Sequence, residues 1–305
     1  MLIYKDDVML LRRACRNVLP PREKERVAGL LRRLLGSHWK ALYFEDIDRP
    51  SLGAMSNGRR FDAGLKLAPF FISRPGAAFD IGANAGRYTY VLEKVVGPEH
   101  TYAIEPVPQL AARLTQLFPH SHVFNMALSD VEGTLDLKIP IVRGFPLWGR
   151  SSLEEFRRPE PGDSGTVVER VSVQTLDRLC ETLGIQDVRF VKIDVEGHEF
   201  SVLRGAQQTL AKWRPVLLVE IEQRHHIEPV AQGFAWIQEQ GYSGFFYDAA
   251  QMLLRPIEQF VIEVDQHPGH HQNAKYINNF FFVATSDART VIDHVDRSIH
   301  KPNLN

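Results

Sequence analysis

From residue 77 onward, short runs rich in β-branched and aromatic residues alternate with helix-length amphipathic stretches, and this alternation constrains the fold more than any other feature of the chain. A strand that rejoins its sheet in parallel needs a crossover, and a helix is the usual one. Strand-like runs fall at residues 78–81, 101–104, 122–125, 190–193 and 216–221, with helical periodicity at 87–96, 108–118, 199–213 and about 230–239. Gly97-Pro98 and Gly241 stop two of these helices, because glycine takes the left-handed cap and proline cannot continue a helix. Residues 242–247 and 279–283 read as two late strands paired with each other. The expected architecture is an α/β fold with a mostly parallel twisted sheet and an antiparallel C-terminal edge.

Residues 9–42 carry apolar side chains at helical spacing among many basic ones, split by Pro20-Pro21. They predict N-terminal helices whose Arg and Lys face solvent. The expected division is a helical extension over 1–60, a main domain over 61–290 and a tail over 291–305. Residues 139–165 interrupt the alternation with Pro140, Pro146, Pro159 and Pro161, yet carry Phe145, Leu147, Trp148, Leu153 and Phe156. A long irregular segment inside a compact domain is usually functional, so it is expected to be a lid or a substrate-facing insertion. A surface excursion whose aromatics pack back on the sheet is the competing reading.

Composition excludes several classes. Lys plus Arg total 36 against 37 Asp plus Glu, a net charge of −1, so nothing drives a general grip on nucleic acid or an anionic membrane. The longest apolar runs are strand-sized, far below the roughly 20 residues of a membrane-spanning helix. Cys15 and Cys180 lie far apart in the chain, which rules out a thiolate zinc site and argues against a disulfide framework. The apolar run at 8–11 is cut off by Arg12 and Arg13, so no secretion signal is expected and a cytoplasmic location fits.

The most informative segment is Ala78-Phe79-Asp80-Ile81-Gly82-Ala83-Asn84-Ala85-Gly86-Arg87, a strand ending in a glycine-bearing turn that opens a helix. In open α/β sheets ligands bind at the carboxyl ends of the strands. Gly82 and Gly86 permit a sharp turn and close ligand approach. The spacing is G-x-N-x-G, not the dinucleotide G-x-G-x-x-G, and Asp80 beside it would repel a diphosphate but attract a cationic ligand. A structural turn, with Asp80 holding loop amides, competes with that reading. Glu105 ends the next strand about 20 residues on, where an acidic side chain binds ribose hydroxyls; helix-dipole compensation is its alternative. Asn125 and Ala127 follow the third strand and suit the amide edge and flat face of adenine, although Asn125 also suits an ordinary turn. In this order the three segments read as an S-adenosylmethionine pocket.

On these residues the sequence resembles the FkbM family of methyltransferases. The resemblance rests on Phe79 to Gly86, Glu105-Pro106-Val107-Pro108, Asn125 to Asp130, Ser151-Ser152-Leu153, Thr175-Leu176-Asp177 and Val191 to Glu199. It implies a Rossmann-like class I methyltransferase fold, S-adenosylmethionine as cofactor, and O-methylation of a sugar, glycolipid or natural-product hydroxyl. By motif it implies that Asp80, Gly82, Asn84, Gly86, Glu105 and Asn125 surround the cofactor. The acceptor partner is then a small molecule or glycan.

Catalytic candidates cluster after the fourth strand, where Asp194, Glu196, His198 and Glu199 share one short turn. Asp194 is expected to orient the acceptor or hold the cofactor ammonium. His198 is expected to take the acceptor proton, since an unperturbed imidazole is neutral at pH 7; a plain surface histidine is the alternative. Glu199 reads as a charge capping the helix start. Glu220 and Glu222 share one side of the fifth strand and precede His225-His226. With Asp194 these carboxylates would suit a divalent cation, but sugar hydroxyls are the preferred ligand and no metal is assigned. His267, His270 and His271 read as solvated loop residues. Two further functions stay open at this point: a nicotinamide-dependent oxidoreductase on the same fold, and a non-catalytic module that keeps the nucleoside pocket.

Overall fold

The structure is a computed structural model that describes residues 44, 62–154, 162–270 and 275–300. The chain divides into two compact units, Met1–Arg49 and Pro50–Asn305. The helices expected over 9–42, together with Cys15, Phe156, Pro159, Pro161 and His271, lie outside the described residues.

The first described element of the second unit is α1 (Ala63–Phe71), whose N-cap Asp62 accepts hydrogen bonds from Leu65 N and from Tyr88 Oη at 2.6 Å. β1 (Ala77–Ile81) follows and is buried along its whole length, as a central parallel strand must be. α2 (Arg87–Val96) starts at the left-handed Gly86 and stops at Gly97. Then come β2 (Thr101–Ile104), α3 (Pro108–Leu117), β3 (His122–Phe124) and β4 (Ala127–Leu128). β5 (Gly133–Val142), β6 (Phe145–Pro146) and β7 (Asp163–Gln174) precede α4 (Leu176–Thr182), which Thr175 caps through its hydroxyl. The chain continues through β8 (Val188–Ile193), α5 (Glu199–Arg204), α6 (Gln207–Trp213), β9 (Val216–Glu220), α7 (Val230–Glu239), β10 (Tyr242–Asp248), β11 (Leu253–Pro256), α8 (Ile262–Asp265), β12 (Asn279–Ala284) and α9 (Ala288–His300).

Among the described residues, eight strands form one sheet in the order β3-β2-β1-β8-β9-β12-β10-β11. β3 through β9 run parallel, and β12 pairs antiparallel with both β9 and β10. The fold is therefore the α/β, mostly parallel, Rossmann-like arrangement expected, with its antiparallel edge. The strand order turns back between β1 and β8, the switch point at which such sheets leave a crevice beyond the strand ends. Among the described residues no helix is long and apolar enough to cross a membrane.

Three local expectations need correction. The helix expected over 199–213 is broken into α5 and α6 at Gly205, where an added Cβ would stand 2.0 Å from the Ser129 carbonyl oxygen; close backbone contact overrides the helical periodicity. The 139–165 insertion is not an irregular loop in its described parts. β5 and β7 pair antiparallel from Gly133↔Val173 to Val142↔Asp163, and with β4 and β6 they make a second, four-stranded sheet. Leu135, Leu137 and Ile139 alternate with Asp136, Lys138 and Pro140, a period-2 pattern that the prolines obscured. The C-terminal tail is helical through His300, because Ala288, Val295 and Ile299 form a buried stripe against α1 and β11.

Candidate active site

A cleft of about 580 Å³ opens at the carboxyl ends of β1, β2, β4 and β8. Its first wall is the turn after β1. Gly82 has φ +77° and touches the β8 end so closely that a Cβ would fall 1.9 Å from the Asp194 carbonyl oxygen. Only glycine meets both the left-handed backbone and the close approach. Gly82 N and Ala83 N both donate to Ile104 O at 3.0 Å, which ties this turn to the tip of β2.

Glu105 stands at that tip. Its Oε2 accepts from Asn84 N at 2.7 Å and its Oε1 from Val107 N at 2.9 Å. Burial pushes its pKa up to about 7, since desolvation outweighs the two amides that favour the anion. Each carboxylate oxygen accepts more than one hydrogen bond, so the two amides fix the group while leaving capacity for ligand hydroxyls. Asn84 has φ +46°, a left-handed conformation that asparagine tolerates better than most residues. Ala127 lines the same cleft beside Met126 and Leu128, a small apolar surface.

The second wall is the turn after β8. Glu196 and Gly197 both have positive φ, a strained stretch of a kind that clusters at functional sites. Asp194 N donates to Ile81 O at 3.0 Å, and Asp194 Oδ2 accepts from Lys192 Nζ at 2.8 Å. Lys192 is buried beneath the cleft with its ammonium 4.8 Å from the centre of the Tyr88 ring. Burial opposes that charge, but Asp194, Asp80 and Glu220 outweigh it and hold the pKa above the usual lysine value. Burial raises the Glu196 pKa well above the ordinary range, and Asp194 and Glu222 add to the effect. Glu199 Oε1 accepts from Gly197 N and Val195 N, which closes the turn. Burial works against its charge, yet His226 and these amides bring its pKa below the usual value.

His198 lines the cleft and is almost fully buried. Its Nδ1 lies 2.7 Å from Glu154 Oε1 and its Nε2 lies 2.9 Å from Ser129 Oγ. A carboxylate only accepts, so in the neutral ring Nδ1 carries the proton and Nε2 is the acceptor that shares the Ser129 hydroxyl with Asp130 Oδ1, 3.2 Å from Oγ. Ser129 and Glu154 received no role from the sequence, for they stand 69 and 44 residues from His198. Trp148, Gly149, Ser151 and Leu153 bring the insertion over the cleft, and Ser152 Oγ fastens it by donating to Glu196 O at 2.7 Å.

The structure thus gathers Gly82, Asn84, Glu105, Ala127, Asp194 and His198 around one cleft. It places Asp80, Gly86, Asn125 and Glu220 outside the lining. Asp80 is buried behind the turn, where Oδ2 accepts from Thr89 N at 2.8 Å and Thr89 Oγ1 at 2.6 Å and so anchors the first turn of α2. Burial raises its pKa against the pull of Lys192. Gly86 packs on Phe118 and Leu114. Asn125 Nδ2 donates to Glu105 O and Pro106 O, holding the β2 tip in shape. Glu220 accepts from Asn278 Nδ2, and burial together with Asp194 drives its pKa well up. Burial also opposes the charge on Glu222, but Arg224 and Tyr276 bind it and hold its pKa at about 2. Among the described residues no three His, Cys, Asp or Glu side chains are grouped to hold a metal ion.

Residues 80–243 match the methyltransferase FkbM domain. The chain belongs to this family. The FkbM match spans both walls of the cleft, from Gly82 to His198. The 2-O-methyltransferase NoeI of Sinorhizobium fredii is 27% identical over 150 residues, which cover 44% of this chain and 59% of that protein. The chain therefore spans about three-fifths of the length of the curated relative it matches. Methyltransferase FkbM from Methylobacillus flagellatus KT is similar at TM-score 0.41 and 15% identity, covering 91% of this chain and 59% of that one. Precorrin-6y C5,15-methyltransferase from Geobacter metallireducens is similar at TM-score 0.35 and 11% identity, covering 75% and 91%.

Proposed function

We propose that this FkbM chain transfers a methyl group from S-adenosylmethionine to a hydroxyl oxygen of a sugar, glycolipid or natural product. The observation that carries the reading is Glu105, a carboxylate clamped by two backbone amides at the tip of β2 and facing a cleft whose opposite wall is Asp194 and His198. A carboxylate so placed accepts from two adjacent ribose hydroxyls. Met126, Ala127 and Leu128 offer a flat base an apolar seat. The Asp194 carboxylate favours a cationic sulfonium and ammonium over a phosphate. The bare Gly82 leaves the backbone open to close approach.

When bound, S-adenosylmethionine supplies an electrophilic methyl carbon; the acceptor oxygen bonds to it as the carbon–sulfur bond breaks, with the electron pair left on sulfur. The protein's part is to hold the oxygen in line, exclude water and receive the hydroxyl proton. The His198–Glu154 pair is suited to that last task. His198, which lines the cleft, receives the proton at Nε2 as Ser129 Oγ gives way, and the Glu154 carboxylate at Nδ1 steadies the imidazolium that forms.

Calorimetry with S-adenosylhomocysteine tests the reading directly. The native chain should bind it, NADH should not compete, and Glu105→Ala should weaken binding about 10- to 100-fold. Competition by NADH, or unchanged affinity in the variant, would return the assignment to the oxidoreductase or to a structural Glu105.

A further inference from the structure

A central strand of a parallel sheet is covered on both faces and is expected to be apolar throughout, yet β8 carries a lysine near its end. Val191 and Ile193 on either side of it enter the main hydrophobic core. Lys192 turns to the opposite face, where the Tyr88 ring of α2 lies over its ammonium, and is 1% exposed. An ammonium so buried persists only where carboxylates pair with it.

Four acids gather around this cation. In the β1–β8 register Asp80 stands directly beside Lys192, and Asp194 follows two residues along the chain, on the same side. Glu220 ends β9 one residue past the Ile193↔Val219 pair, level with Asp194. Asp62, the cap of α1, binds the Tyr88 hydroxyl. Burial raises the pKa of Asp62, Asp80 and Glu220, and Lys192 pulls each of them back towards ionisation.

The four acids are not equivalent. Only Asp194 among them lines the cleft, with its side chain 30% exposed, and it is the acid to which Lys192 Nζ donates, at 2.8 Å to Oδ2. One carboxylate oxygen is thus tethered to a cation that water does not reach, and Oδ1 is left to the cleft. A carboxylate held by one oxygen has little rotamer freedom to lose when a ligand arrives. The pair is also a fixed dipole whose negative end faces the cleft, the arrangement that serves a positively charged ligand without reorganisation.

We infer that Lys192 is a positioning residue for methyl transfer: from beneath the sheet it holds the Asp194 carboxylate aimed into the cleft, and so makes the cleft select a cationic nucleoside over its neutral counterpart. The inference rests on the methyl-transfer reading above and adds to it the residue that fixes the charge preference of the site. Without the ammonium, Asp194 loses its tether and faces Asp80 and Glu220 alone.

The test compares two ligands on the full chain by calorimetry: S-adenosylmethionine, and 5′-methylthioadenosine, which keeps the nucleoside and the sulfur but carries neither cation. The native chain should prefer the first by about tenfold or more, the value of a hydrogen bond to a charged group. Lys192→Met removes the ammonium and Asp194→Asn removes the carboxylate charge; each should cut that preference about tenfold and leave 5′-methylthioadenosine affinity at the native value. In the double variant the preference should fall no further than in Asp194→Asn alone, because the lysine acts through the carboxylate. Lys192→Arg, which keeps the cation, should restore most of the preference. A second reading needs no variant: nitrogen-resolved NMR of the lysine ammonium groups in the native chain should show a signal protected from exchange with water that shifts with S-adenosylmethionine and not with 5′-methylthioadenosine. An unchanged preference in Lys192→Met, a further loss in the double variant, or a protected signal that is absent or answers both ligands alike would overturn the role of Lys192. So would a native chain that binds the two ligands equally. A native chain that binds neither would instead overturn the methyl-transfer reading itself.

Discussion

The two walls of the first cleft are built in opposite ways. The β1–β2 wall is made of backbone: Gly82, Ala83 and Asn84 present amides to Ile104 and Glu105, and every contact joins adjacent strand tips. The β8 wall is made of charged side chains fixed by distant segments, with Lys192 under Asp194, Ser129 and Glu154 on either side of His198, and Ser152 over Glu196. A wall of amides has one geometry and suits an invariant nucleoside. A wall of titratable side chains has protonation states and suits the reacting end. On the proposed reading the difference assigns cofactor binding and proton handling to separate walls, and variants should split them.

The largest effect should come where the two walls touch. Gly82→Ala places a Cβ against Asp194 O at a left-handed φ, and should destabilise the protein by about 3 kcal/mol or more, in the range of a strained backbone position with a hard clash. Urea unfolding measures it, and a smaller loss would mean that the walls yield to one another. Next, Glu154→Gln, which takes the carboxylate from His198 Nδ1, should lower kcat about 100-fold, the low end for impaired general-base catalysis, with S-adenosylhomocysteine affinity unchanged. A parallel loss of cofactor affinity would erase the separation of the walls. Glu105→Ala should do the converse and weaken S-adenosylhomocysteine binding by about 10- to 100-fold, as for lost hydrogen bonds to a charged group.

The pH response sharpens the contrast. The Glu105 pKa of about 7 describes the chain without ligand, and hydroxyl donors favour the ionised form, so binding releases a proton. Cofactor affinity should rise as pH increases through 7, by about tenfold between pH 6 and 8 as the ionised fraction grows. Glu105→Gln should flatten this profile in calorimetry. The smallest effect belongs to Ser129→Ala, which removes one hydrogen bond from His198 and should lower kcat about fivefold, the value of roughly 1 kcal/mol, with the cofactor affinity pH profile intact.

Much of the first wall was legible in the sequence. Gly82, Asn84 and Glu105 belong to two strand ends about 20 residues apart, and strand–turn–helix patterning places both at the same edge of a parallel sheet. The fold was legible for the same reason, since β1, β2, β8 and β9 are short, apolar and separated by helical stretches. Asp80 and Asn125 had the right residue type in the right segment, but only the packed structure shows them one layer behind the lining, on Thr89 and on the Glu105 and Pro106 carbonyls. Alternation along a strand tells which side a residue faces, not whether a ligand reaches it.

Local periodicity and turn chemistry, which act over a few residues, determined the strand order's starting point, the glycine turn and the acidic strand tips. Tertiary packing alone decided the rest. The Ser129–His198–Glu154 line, the sheet formed by the insertion, the break at Gly205 and the seat of the Phe200 ring on Gly233 all depend on segments far apart in the chain meeting at van der Waals distance. No nearest-neighbour pattern encodes such a meeting, because its geometry is fixed only when the whole core closes.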